Sequence, residues 1–362
     1  MKRYYSLDII RFILAVIIVM HHFQQNTGLF IEGGVNFFNG NIYYGYAVEA
    51  FFIISGFLAA GAKERTENTA FSKYFINKII RIVPMAAVAS AVYFIAMFIH
   101  YHRYGFWYAQ VVPGIWRMLN TLLLSNAGGP VTLDFIGVGL NPPLWYVGVL
   151  LRCYIVFYLI LWACKKLNVN PLYSFIAMVL FGTAIMQNGT DKAFLNEFHG
   201  RGLAAFFLGT VIYSLFMYAS KKKTIIISAI TAFLFVVLCI KDFEELLDYQ
   251  WGCFTFVFFP AVILFFLSLE FLIRDGRNLP AMPKPVSLVF DYLGNVPYEI
   301  YVWHSPLIII YSMIRVQEFH NFTPFTENNM ICFLLFMAVF GGLTYYLMER
   351  PVTKLLKNKY VK

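Results

Sequence analysis

Three of the four ionisable side chains in the first long apolar run of this sequence fall on one face of the predicted helix. At about 100° per residue, Arg11 lies about 60° and His22 about 40° from Asp8 around the helix axis. Along that axis Arg11 and His22 are about 16 Å apart, so they cannot contact each other directly. Ionisable groups are costly inside a bilayer, so their presence in a membrane-spanning helix indicates a functional site.

A carboxylate opens the second apolar run, at Glu49 within the segment 47–58. If the first two runs form a hairpin, Glu49 returns to the depth of His22. A carboxylate beside an imidazole would fix its tautomer and raise its basicity, as a general base requires. The alternative is a polar pair that only holds two helices together. His21 points about 100° away from His22 and is interpreted as a helix-interface residue.

Two cations, Lys78 and Arg81, open the third apolar run at the depth predicted for Arg11. Arginine can hold a phosphate through two parallel hydrogen bonds, and lysine can hold one as a point charge. The alternative, which applies most to Lys78, is that these cations flank a membrane span without a ligand. His304 lies about halfway along the ninth apolar run, where it is either a core hydrogen-bonding residue or part of a site.

The composition indicates that lipid surrounds these residues. Hydrophobic residues make up 60% of the 362 residues and charged residues only 13%, whereas a soluble domain carries about 25% charged residues. Because a helix of about 20 mostly apolar residues crosses a bilayer, we predict an all-α, polytopic integral membrane protein. Its ten predicted transmembrane helices are 7–25, 45–62, 80–99, 143–164, 172–188, 201–219, 224–240, 251–273, 296–315 and 329–348.

The distribution of charge predicts the orientation. Lysines and arginines concentrate in both tails and in every second loop, and cytoplasmic loops are the ones rich in these residues. We therefore predict that both termini are cytoplasmic. The net charge of +9 is divided among short clusters, which argues against a nucleic-acid partner. None of the five cysteines has CxxC spacing, and we predict no metal site.

Two connections are longer than a helical bundle needs, within what we predict to be a single domain, 1–362. The inner connection, 63–79, is basic, and Phe71, Tyr74 and Phe75 within it are spaced to lie along the inner interface. The outer connection, 100–142, is aromatic and rich in turn residues. Loops longer than about 12–15 residues are usually functional or disordered. We interpret 63–79 as a basic inner loop and 100–142 as a lid-like loop over an outward-facing cavity.

Six sequence blocks, in order along nearly the whole chain, resemble those of the bacterial membrane acyltransferase family 3. The first is Leu7-Asp8-Ile9-Ile10-Arg11, followed by His22 at the spacing that separates an arginine and a histidine in that family. Each block is weakly specific alone, whereas six in order are strongly specific. The other five blocks are Phe51–Leu58, Lys78–Pro84, Pro143–Tyr146, Ile300–Pro306 and Glu349–Pro351.

The resemblance implies a membrane O-acyltransferase. Such an enzyme moves an acyl group, usually acetyl, from cytoplasmic acetyl-CoA to a hydroxyl of an extracytoplasmic glycan. His22 takes the position of the family's catalytic histidine, and Arg11 that of its essential arginine. The sequence departs from many members after Trp145, because Val149–Arg152 is apolar and then basic where an acidic pair is often found.

Depth and resemblance together give a set of expected site residues. His22 and Glu49 are the expected catalytic pair. The aromatic residues among those expected to bind the acceptor could equally form an interfacial belt. The residues expected to bind acyl-CoA are Asp8, Arg11, Ser55, Lys78 and Arg81, and those expected to bind the acceptor are Trp107, Trp116, Trp145, Tyr146 and His304.

The expected partners are acyl-CoA, an extracytoplasmic polysaccharide or lipid-linked sugar, and the lipid bilayer of a bacterial plasma membrane. Acetyl-CoA is expected as a co-substrate, and no permanently bound cofactor is expected. The sequence leaves open whether the protein forms a homo-oligomer. The rival function is a transporter or flippase of a polar lipid-linked substrate. It would need discontinuous helices at the midplane and an inverted repeat, and neither feature is visible in the sequence.

Overall fold

The computed structural model describes residues 3–105, 117, 120, 121, 124, 141–188, 195–241, 249–275, 284–318 and 325–361. Within these residues the chain is helical and contains no strand. Short 3-10 turns precede α2 and α5, and π-helical segments lead into α10 and α14. In chain order the helices are α1 (Tyr5–Thr27), α2 (Ala47–Gly61), α3 (Lys63–Glu67), α4 (Phe71–Tyr104), α5 (Trp145–Leu167), α6 (Pro171–Asn188), α7 (Glu197–Tyr218), α8 (Lys221–Lys241), α9 (Gln250–Cys253), α10 (Phe259–Asp275), α11 (Lys284–Asn295), α12 (Pro297–Glu318), α13 (Glu327–Thr344) and α14 (Arg350–Tyr360).

Nine of the ten predicted spans coincide with helices that are long and apolar enough to cross a membrane, within the described parts of the chain. The remaining predicted span, 296–315, coincides with α12. This helix has the length of a span but is less apolar, since it carries Glu299, His304 and Arg315. The predicted class, an all-α polytopic membrane protein, is confirmed.

The predicted inner loop, 63–79, is wrong in its secondary structure. Most of it is helical, because α3 covers Lys63–Glu67 and α4 begins at Phe71. The spacing of Tyr74 places it at the membrane interface, but the side chain is buried, and its hydroxyl donates to the Tyr154 carbonyl at 3.3 Å. This segment therefore packs into the bundle.

Helix α4 is far longer than its predicted span, 80–99. It has 34 residues, which at 1.5 Å per residue is about 51 Å, against a hydrocarbon core of about 30 Å. Its outer end, to Tyr104, takes the first residues of the predicted lid-like loop. The rest of that loop, apart from residues 105, 117, 120, 121, 124, 141 and 142, lies outside the described residues.

Helices α2 and α7 pack backbone against backbone, because each has a glycine at the contact. A β-carbon on Gly56 would lie 1.8 Å from the Phe206 carbonyl oxygen, and one on Gly209 would lie 2.0 Å from the Ile53 carbonyl oxygen. Small residues let membrane helices approach this closely. The contact fixes which side chains face each other where these two helices begin.

Helix ends that the charge pattern assigns to one side of the membrane contact one another. At the start of α1, the Ser6 amide and hydroxyl donate to Glu270, near the end of α10, at 2.9 and 2.6 Å. At the opposite side, the Gln250 side chain donates to the Asn41 carbonyl, just before α2, at 2.9 Å. These contacts agree with the predicted alternation of inner and outer ends.

Candidate functional site

The inner end of α1 holds an ion-pair network around the buried carboxylate of Asp8. Asp8 is 5% exposed and accepts hydrogen bonds from Arg3 Nε and Arg11 Nη2, each at 2.6 Å. Arg3 also pairs with Asp291, and Arg11 donates to the Gly294 carbonyl at 2.9 Å. The structure therefore brings Asp8 and Arg11 together, as their helical spacing predicts, and joins them to α11.

The close approach of α11 depends on Gly294. A β-carbon there would lie 2.5 Å from Arg3 Nη2 and 2.8 Å from Asp8 Cγ. Burial alone would lower the pKa of the Arg3 guanidinium, but its hydrogen bonds to Asp8 and Asp291 leave that pKa above its ordinary value. Arg11 is thus held in place from α1 and α11 together.

Replacing Asp8 with asparagine is expected to lower the free energy of unfolding by about 2–3 kcal/mol, because two guanidinium groups lose a shared buried carboxylate. The matched control is Asp291→Asn. It removes a partner of Arg3 whose side chain is 43% exposed, and it should cost less than about 1 kcal/mol. Thermal unfolding of both purified variants in detergent makes the comparison, and equal losses would contradict the central role of Asp8.

A cavity of about 800 Å³ lies beside Arg11 on the inner side of the bundle. It is lined by four of the five residues predicted to bind acyl-CoA, namely Arg11, Ser55, Lys78 and Arg81. Asp8 does not line the cavity, but its carboxylate accepts a hydrogen bond from Arg11. Side chains from α1, α2 and α4 are therefore assembled around one space, as the depth argument predicts.

The last described helix, α14, adds a polar stripe to this cavity. This α14 stripe consists of Arg350, Thr353, Lys354, Lys357 and Asn358. Positions i, i+3, i+4, i+7 and i+8 share one face of a helix. This periodicity is present in the sequence and could have identified the stripe, whereas a count of charges shows only a basic tail.

The cavity has a strong excess of positive charge. Among its described lining residues are six cationic side chains and a single carboxylate, that of Glu349. Within the described chain, only Arg11 among these cations forms an ion pair. A concave site in which cations outnumber carboxylates by this much favours an anionic ligand.

Three aromatic side chains line the outer end of the cavity. The rings of Tyr146 and Tyr301 are 5.3 Å apart between centroids, and Phe51 lies 6.0 and 6.1 Å from them. The Tyr301 hydroxyl donates to the Pro143 carbonyl at 2.6 Å. The sequence predicts that Tyr146 binds the acceptor, but the structure places it in the wall of the inner cavity.

Two histidines stack immediately beyond Tyr301. The rings of His22 and His304 are 5.1 Å apart between centroids and inclined by 20°, and the Tyr301 ring is 5.7 Å from that of His304. Nδ1 of His304 is 2.6 Å from the Tyr301 carbonyl oxygen, and Nδ1 of His22 is 2.8 Å from Gln25 Oε1. Since both oxygens accept, a neutral imidazole at either position would donate through Nδ1 and leave Nε2 as an unprotonated nitrogen.

His304 is predicted to be either a core residue or a site residue, and the structure gives it features of both. It is fully buried, yet it contacts the ring of His22 directly. Its Nε2 has no hydrogen-bond partner within the described residues. A buried acceptor without a partner is unusual, so this atom is a candidate contact for a substrate hydroxyl.

The predicted pairing of His22 with Glu49 is wrong. Glu49 is fully buried and pairs with Arg201, at 2.5 Å from Oε1 to Nε and 3.1 Å from Oε2 to Nη2. Trp251 Nε1 also donates to Oε1, at 3.0 Å. A buried carboxylate requires a compensating charge, which Arg201 supplies and a neutral imidazole does not. The α2–α7 contact turns Glu49 toward α7, and Gln25 takes its place beside His22.

Arg201 also accounts for the position of Trp145. The guanidinium carbon lies 4.9 Å from the centroid of the Trp145 ring, and the ring of Phe198 lies 4.8 Å away. Trp145 therefore belongs to the cluster around Glu49, and its binding of an acceptor stays a prediction. The other two predicted aromatic contacts, Trp107 and Trp116, lie outside the described residues.

A comparison with known protein families finds a match over nearly the whole chain. A family model described as an acyltransferase domain matches residues 4–348. The matched range contains the Asp8–Arg11 pair, both stacked histidines and Glu49, and it ends just before α14. A search of curated proteins and a search of solved structures each gave no match.

Proposed function

This chain belongs to acyltransferase family 3, and from that premise we propose that it is an O-acyltransferase that works across the membrane. The donor is a cytoplasmic acyl-CoA, with acetyl-CoA as the first candidate. The acceptor is a hydroxyl of an extracytoplasmic polysaccharide or lipid-linked sugar. The membrane is the plasma membrane of a bacterium.

The observation that carries this proposal is a continuous series of contacts from the inner cavity to His22. The cavity favours an anionic ligand and ends at the ring of Tyr301. That ring contacts His304, and His304 stacks on His22. A donor whose phosphates lie among the cavity cations can therefore direct its acyl group toward the histidine pair.

The chemistry follows from the tautomer of His22. Its Nδ1–H is held by Gln25, so Nε2 can accept the proton of an incoming sugar hydroxyl. The oxygen then attacks the thioester carbonyl carbon, and the carbon–sulfur bond breaks as the new ester forms. The imidazolium of His22 returns its proton to the departing thiolate. His304, through its free Nε2, can hold the acceptor by a second hydrogen bond.

The aromatic residues at the outer end of the cavity would limit the competing reaction with water. Tyr146, Tyr301 and Phe51 separate the cationic cavity from the histidines, with ring centroids about 5–6 Å apart. Exclusion of water from a site that holds a reactive thioester prevents its hydrolysis.

Mass spectrometry of surface glycans from a bacterial strain with and without this protein tests the proposal. We expect a mass difference of one acyl group, which identifies both the acyl group and the acceptor. A strain that expresses His22→Ala should resemble the strain without the protein. The rival flippase would instead change the amount of glycan at the surface. Identical acylation in all strains would exclude the proposed function.

A further inference from the structure

The α14 stripe is a row of positive charge at the inner end of the cavity. Arg350, Lys354 and Lys357 form no ion pair within the described chain. From Arg350 to Lys357 the stripe extends about 10 Å along the helix axis. Because α14 packs against α4, these cations and the α4 residues Lys78 and Arg81 face the same space.

The direction in which a donor must lie follows from the position of the reacting groups. The thioester has to approach Tyr301 and His304, at the outer end of the cavity. In coenzyme A the pantetheine arm follows the sulfur, then the pyrophosphate, then the adenosine with its 3′-phosphate. The adenosine therefore lies farthest inward, where α14 follows the last membrane span. The 3′-phosphate is the group that reaches the α14 stripe.

We infer, on the basis of the proposed function, that Lys354 and Lys357 bind the 3′-phosphate of coenzyme A and give the enzyme its preference for donors that carry it. A phosphate monoester carries a charge of about −1.5 to −2 at neutral pH. Two lysines one turn apart on a helix supply a matching pair of point charges. The deeper cations, Arg11 and Arg81, then bind the pyrophosphate.

This contact lies beyond the part of the chain that the family model covers. The match ends at residue 348, whereas Lys354 and Lys357 lie in the helix that follows. The two lysines of this contact therefore lie outside the matched range, although they line the same cavity as Arg11, Lys78 and Arg81. Removal of these two charges should leave the rest of the donor site intact.

Isothermal titration of coenzyme A and of 3′-dephospho-coenzyme A into the full-length protein in lipid nanodiscs tests this inference. Wild-type protein should bind coenzyme A about tenfold more tightly, since a charge-assisted contact is worth at least that factor. In Lys354→Gln/Lys357→Gln the two dissociation constants should agree to within about twofold. The constant for 3′-dephospho-coenzyme A should not change. Glutamine keeps the helix propensity of lysine.

The matched control is Lys359→Gln, on the same helix. Lys359 lies about 160° around the axis from Lys357 and does not line the cavity, so the tenfold preference should persist. Equal weakening of both ligands by the double substitution would overturn the inference, as would an unchanged preference. If wild-type protein binds both ligands equally, only this inference fails. If it binds neither, the proposed function fails as well.

Discussion

Substitution of His22 by alanine is expected to lower the rate of acyl transfer by a factor of about 10² to 10⁴, the usual contribution of general-base catalysis. Coenzyme A binding should not change, because Arg11, the cavity cation on α1, lies about 16 Å away along that helix and His22 does not line the cavity. The fold should also persist, since the side chain of His22 contacts only the exposed Gln25 and the rings of His21 and His304 among the described residues. Transfer of radiolabel from acetyl-CoA to isolated acceptor glycan measures the rate.

Two further variants separate catalysis from a general effect of histidine loss. His102→Ala removes a surface histidine from the last turn of α4 and should leave the rate unchanged. Gln25→Ala removes the group that holds Nδ1 of His22 and should cause a smaller loss than His22→Ala, because the base persists but is no longer oriented. Full transfer by His22→Ala would exclude His22 as the base.

The features that the sequence predicts well are those that depend on a single helix. Helical periodicity alone places Asp8 and Arg11 on one face, and the two side chains are in contact at 2.6 Å. The depth of each residue also follows from its position in a span. Lys78 and Arg81 are accordingly found with Arg11 around one cavity. These inferences need only the rise and rotation of an α-helix.

The features that the sequence does not predict depend on how helices are rotated against one another. The depth of Glu49 follows from hairpin topology, but its direction is set by the glycine contacts between α2 and α7. Arg201, which its charge alone would assign to a loop, lies inside α7 and neutralises Glu49. Gly294 is similar, because only the packing of α11 brings its carbonyl to Arg11.

Breaking the ion pair between Glu49 and Arg201 is expected to destabilise the protein by about 3–5 kcal/mol, the cost of leaving one buried charge without its partner. Glu49→Gln and Arg201→Gln should each lower the thermal unfolding midpoint strongly. The double variant should recover much of this loss, because it buries no charge and the glutamine amide at position 49 would keep an oxygen for Trp251. Thermal unfolding of all three variants in one detergent measures the coupling between the two positions.

The control for this pair is Glu197→Gln. Glu197 lies 3.9 Å from Arg201 on the same helix, but its side chain is 56% exposed, so its loss should cost less than about 1 kcal/mol. Activity then decides what Glu49 does. If Glu49 only joins α2 to α7, the folded double variant transfers acyl groups at nearly the wild-type rate. A folded but inactive double variant would instead indicate that Glu49 contributes to catalysis. Glu49 would then act on His22 by a route other than direct contact.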